Sequence, residues 1–137
     1  MMLLGFQRRF AAYVEEGSKT HTIRALRLRP PRVGEICHCY EDPRQKSMRL
    51  LGRFPCVKVE TIVIWESTSG PAVKVDGVQL AGDECNALAW RDGFRDQGHA
   101  NAFRSMMQFW AGRLPFHGQI IHWRYTKLTL GQLGGIA

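Results

Sequence analysis

Within the segment Gly17-Ser18-Lys19-Thr20-His21-Thr22-Ile23-Arg24, an amine, two threonine hydroxyls, an imidazole and a guanidinium fall within six consecutive residues. A lysine acts as a base only when desolvation or neighbouring positive charge lowers its pKa, and Lys19 lies close in sequence to Arg24 and Arg27. A threonine hydroxyl needs such a base before it can attack a carbonyl. A nearby carboxylate would orient the amine or shuttle a proton. Few structural turns need this combination, although an ordinary strand threonine at position 22 remains an alternative reading.

These residues must be held by the elements around them. Phe6, Phe10, Tyr13 and Val14 recur at three- and four-residue spacing, which predicts the buried stripe of a helix over about residues 6–16. Gly17 then closes the helix in a left-handed conformation. The following residues are β-branched at positions 20, 22 and 23, which predicts a strand. Residues three apart on a regular strand face opposite sides. Lys19 and Thr22 therefore converge only if Lys19 lies in the preceding turn or a bulge intervenes.

The remaining sequence predicts short strands interleaved with a few helices in a single α+β domain spanning the 137 residues. Residues 26–32 alternate leucine and arginine and end in Pro30-Pro31, so they read as an exposed extended loop. Residues 35–40 form a strand, 42–46 a charged turn, and 48–54 and 56–65 two further strands, the second of them central. Asp76-Gly77 between two apolar runs is a hairpin signal. Asp83 is expected to cap a helix reaching about Asp92, with Gly93 as its stop. A helix over about residues 100–110 exposes Arg104 and buries Phe103, Met106, Met107 and Trp110. The last strand lies near residues 119–125, and a glycine-rich tail follows Lys127.

The formal charge is +7, and most of it sits in the first half: residues 1–60 carry 12 Lys/Arg against 6 Asp/Glu, and the remainder carries 7 against 6. A basic half containing Arg24, Arg27, Arg29 and Arg32 suits a phosphate-bearing or otherwise anionic partner, while a solvated basic surface is the plainer reading. Arg24 would contact a phosphate or brace the fold through carboxylates. His21 would point into the same cleft or pack against the helix. Trp65 reads as core, and Trp90, close to Asp92 in sequence, is the better stacking platform for a base.

Cys37 and Cys39 share one face of a strand, and with Cys56 and Cys85 they complete neither a disulfide framework nor a zinc site. Reduced, buried thiols are expected, with no metal and no cofactor. No apolar run approaches a membrane span, so a soluble, cytoplasmic protein without a membrane partner is the default expectation.

The order of helix, Gly-x-Lys-Thr-x-Thr-Ile-Arg, Val33-Gly34-Glu35, a barrel-like middle, Ala89-Trp90-Arg91-Asp92-Gly93-Phe94, a second helix and a final strand resembles the ASCH family of PUA-like β-barrels, over roughly residues 5–126. The resemblance implies a small closed barrel with flanking helices and an association with RNA. One activity within the family removes the acetyl group from N4-acetylcytidine through a lysine, a threonine and a helix-borne glutamate. By motif position these roles carry over to Lys19, Thr22 and Asp92, the last being one methylene shorter than the family's acid. Thr20, His21, Arg24, Arg27, Arg29, Arg32 and Trp90 are the expected contacts to a modified nucleoside or single-stranded RNA. A non-catalytic RNA-binding module is the alternative, and a metal-dependent ribonuclease lacks a compact carboxylate cluster in this sequence.

Overall fold

A computed structural model describes residues 2–42, 46 and 48–127. The elements run β1 (Met2–Phe6), α1 (Arg8–Glu16), β2 (His21–Ala25), β3 (Ile36–Glu41), β4 (Arg49–Ser67), β5 (Gly70–Val75), β6 (Val78–Gln79), α2 (Gly82–Asp92), a 3-10 turn (His99–Asn101), α3 (Ala102–Phe109) and β7 (Phe116–Trp123). The fold is α+β: seven strands form one mixed sheet with three α-helices around it. The expected turn over residues 42–46 and the tail after Lys127 lie largely outside the described residues.

The long strand β4 organises the sheet. Its first part, up to Pro55, pairs antiparallel with β3, and β3 in turn pairs parallel with β1. From Cys56 onward β4 pairs with β7, and from Ile62 also with β5. Strand β2 joins the outer side of β7, and β6 extends β5. The sequence predicts two strands where β4 is continuous, because Pro55 has no amide hydrogen to give to a ladder. The chain tolerates it by changing pairing partner there, and a register shift between Cys56 and Lys58 absorbs the irregularity.

The expected closed barrel is corrected: among the described residues no backbone ladder joins β1 to β2, and the sheet is open between them. Two arginine side chains bridge that seam. Arg24 Nη2 donates to Gly5 O at 2.6 Å and Arg27 Nη2 to Leu3 O at 3.0 Å, so carbonyls on the β1 edge accept from guanidinium groups. Arg24 therefore braces backbone, where carboxylates were the expected bracing partners.

Other boundaries also shift. Phe6 ends β1 and does not begin the first helix, which starts at Arg8 and buries Phe10, Ala11 and Val14. The α2 N-cap is Ala81, two residues ahead of the expected Asp83; the Glu84 carboxylate accepts the Ala81 amide at 2.8 Å and supplies half of a capping box. The Asp76-Gly77 turn has φ of 48° and 81°, as its hairpin requires. The core runs between sheet and helices, through Leu4, Val14, Phe54, Ile64, Val73, Phe94, Met106 and Ile121.

Candidate functional site

Gly17 sets the position of the motif. Its φ of 88° ends α1, and a Cβ there would lie 2.7 Å from the Tyr125 ring, so both conformation and space favour glycine. The Lys19 amide then donates to Tyr13 O at 2.9 Å, which keeps Lys19 in the turn ahead of β2. Arg95 fastens this turn to the end of α2, donating to Ser18 O at 3.0 Å, Ser18 Oγ at 3.2 Å and Trp90 O at 3.0 Å while lying 4.3 Å from the Tyr13 ring centroid.

Lys19 and Asp92, 73 residues apart in sequence, meet in the interior. Lys19 Nζ donates to Asp92 Oδ1 and to Asp92 O, each at 2.7 Å, and both residues are buried. A carboxylate at a helix C-terminus opposes the helix dipole, and the ammonium offsets that by capping the terminal carbonyl as well as pairing the side chain. The reach of aspartate is sufficient without the extra methylene of glutamate. Burial pulls the Lys19 pKa below its ordinary value and outweighs the raising effect of Asp92, with Arg24 and Arg95 adding to the fall. Burial would push the Asp92 carboxyl up, but Lys19 and His21 hold it below the usual carboxylate range.

Thr22 is buried on β2, and its Oγ1 accepts from Arg24 Nε at 3.0 Å. Lys19, Thr22, Arg24 and Asp92 all line one cavity of about 460 Å3, within the size range of small-molecule sites. Its walls are aromatic: Phe6, Phe10, Phe94, Phe109, Trp110 and Phe116. Phe6 lies 5.8 Å from Lys19 Nζ and 5.0 Å from the Arg24 guanidinium carbon, so the one ring faces both cations. Gln7 and Arg113 complete the polar part of the lining.

His21 does not line this cavity. It is buried beside the ion pair, with Nε2 3.3 Å from Asp92 Oδ1, yet that nitrogen makes no hydrogen bond. The contact is close enough to act electrostatically and too poorly aligned to count as a bond. Burial holds the His21 pKa below its ordinary value. Across the ladder His21 faces His122, whose Nε2 lies 2.5 Å from Glu60 Oε1.

The other expected contacts are dispersed. Thr20 uses its carbonyl to accept the Trp123 amide at 3.0 Å and lies outside the cavity. Arg27 lines a depression beside the cavity with Arg24, Phe6 and Gln7, and a further one with Arg29, Leu3 and Pro31; Arg32 is exposed beyond it. Trp90 is not a wall of the cavity: it packs against His99 and Arg95. Phe109 and Trp110, at the end of a helix expected to serve as core, join the other aromatics that border the site. Among the described residues no three His, Cys, Asp or Glu side chains gather as a metal-ligand set, and no helix is long and apolar enough to cross a membrane. All four cysteines are free and buried.

No protein-family model matches the chain, and no curated protein or solved structure matches it either.

Proposed function

We propose that the protein is an ASCH-like hydrolase with an open PUA-like sheet, and that it removes the acyl group from N4-acylated cytidine. The observation that carries this reading is the Lys19 amine held by the Asp92 carboxylate and carbonyl in a cavity that Thr22 also lines. Burial lowers the Lys19 pKa, which raises the share of neutral amine able to accept a proton. Thr22 Oγ1 gives its proton to Lys19 Nζ as it bonds to the acyl carbon, and the carbonyl electron pair moves onto the acyl oxygen; Arg24, which donates to Oγ1, orients the hydroxyl for that attack. The carbon–N4 bond then breaks as that proton passes to the departing amine. Water deprotonated by Lys19 cleaves the Thr22 ester, releasing the carboxylic acid and restoring the hydroxyl. Asp92 keeps the amine oriented through each transfer; its lowered pKa suits an anchoring anion better than a proton carrier.

The non-catalytic RNA-binding reading is favoured by one observation, the exposed loop carrying Arg29 and Arg32. Arg24 and Arg27 weigh against it, since both donate to β1 carbonyls. The test is release of acetate and cytidine from N4-acetylcytidine by the purified protein. The hydrolase reading expects multiple turnovers that a metal chelator does not reduce. Salt-sensitive binding of single-stranded RNA without any release would favour the binding module.

A further inference from the structure

Resting on the reading of the cavity as a cytidine-directed site, we propose that its ligand is a cytidine nucleotide, with Arg113 as the contact to the phosphate. Arg113 lines the same cavity as Lys19, Thr22 and Asp92, and it is exposed where they are buried. Its guanidinium carbon lies 5.2 Å from the Phe109 ring centroid and 5.7 Å from that of Trp110, so two aromatic walls of the cavity hold it. Among the described residues it forms no ion pair and no side-chain hydrogen bond.

The other charges of the lining are committed. Lys19 and Asp92 neutralise each other, and Arg24 donates to Gly5 O and Thr22 Oγ1. Among the described residues Asp92 is the only carboxylate in the lining, so the cavity keeps an excess of positive charge to which Arg113 contributes an uncommitted donor fork. A planar guanidinium held beside two aromatic rings is suited to two parallel hydrogen bonds with phosphate oxygens. The aromatic walls accept the flat base, and a neutral nucleoside leaves the Arg113 charge unanswered.

Calorimetric titration of the protein with cytidine, cytidine 5′-monophosphate and inorganic phosphate tests this without any turnover. The nucleotide is expected to bind about tenfold tighter than the nucleoside at low salt, the effect of one charge-assisted contact near the surface. Arg113→Gln should erase that difference and Arg113→Lys should retain part of it. Arg104→Gln, which removes the same charge from an exposed position on α3, should leave it intact. Equal binding of nucleoside and nucleotide would overturn the proposal, as would a preference that survives Arg113→Gln or disappears equally in Arg104→Gln. Inorganic phosphate binding as tightly as the nucleotide would overturn it too, by showing an anion site with no use for the base. Binding of the nucleotide without hydrolysis of acylated cytidines would keep this inference and remove the catalytic one; hydrolysis with no nucleotide preference would do the reverse.

Discussion

Replacing Asp92 with asparagine leaves the Lys19 ammonium buried without a counter-ion. Lys19 is 2% exposed and makes two hydrogen bonds to Asp92, one of them to the side chain that the substitution neutralises. Removing one partner of a buried pair costs about 3–5 kcal/mol, against a total of about 5–15 kcal/mol for a typical domain. Asp92 raises the Lys19 pKa against the larger effect of burial, so without the carboxylate the ammonium loses its proton at a still lower pH. A lysine whose folded pKa lies below its unfolded value binds fewer protons folded than unfolded, and stability rises with pH between those two values. The deficit of Asp92→Asn should therefore shrink as pH rises from neutral toward the wild-type folded value of Lys19, above which the amine is neutral in both folded proteins. Urea denaturation across that range measures it. The double variant Lys19→Met/Asp92→Asn removes both charges and should be more stable than the sum of the single losses predicts. A deficit below about 1 kcal/mol at neutral pH, or one that does not change with pH, would refute a desolvated ion pair at this position.

Lowering the pH should destabilise the wild-type protein through Asp92: its folded pKa is depressed, so its contribution is present above the unfolded aspartate value and is lost as pH falls through the folded one, which denaturation curves of wild type and Asp92→Asn would show as convergence in acid. Asp92→Glu should slow hydrolysis and lower the melting temperature, because the existing contact is already 2.7 Å and an added methylene displaces it at about 1–3 kcal/mol; an unchanged protein would show that the longer side chain is accommodated along the cavity wall. Gly17→Ala and Gly77→Ala both force a positive φ, at about 1–2 kcal/mol, but only the former also drives a methyl into Tyr125, so its midpoint in urea should fall further. Burial pushes the Cys37 thiol up to about 12, and all four thiols should resist a thiolate-selective reagent until the chain unfolds.

The motif was legible because its signals are local. A helix stripe, a stopping glycine and a β-branched run lie within about twenty residues, and the turn they define is the one that lets Lys19 and Thr22 reach one cavity. The Asp76-Gly77 hairpin was legible for the same reason. Trp90 lies outside the cavity because sequence adjacency is not adjacency on a helix: two residues apart on α2, Trp90 and Asp92 project from different faces. The aromatic walls come from β1, α1, α3, β7 and the residues beside them, and no periodic pattern links such distant positions. The sequence carries no local sign of β1, because its pairing with β3 is parallel and remote, while Phe6 also fits the helical spacing that follows. Barrel closure depends likewise on whether two remote edges meet, and here arginine side chains occupy the seam.

The most direct measurement is the turnover of N4-acetylcytidine by wild type, Lys19→Met and Thr22→Val, each first shown to be folded by its circular dichroism and a cooperative melt. The account predicts sustained acetate release by the wild-type protein and a loss of about 100-fold or more in each variant, since one lacks the base and the other the nucleophile. Folded Lys19→Met or Thr22→Val releasing acetate at the wild-type rate, or a wild-type protein that releases none, would contradict it.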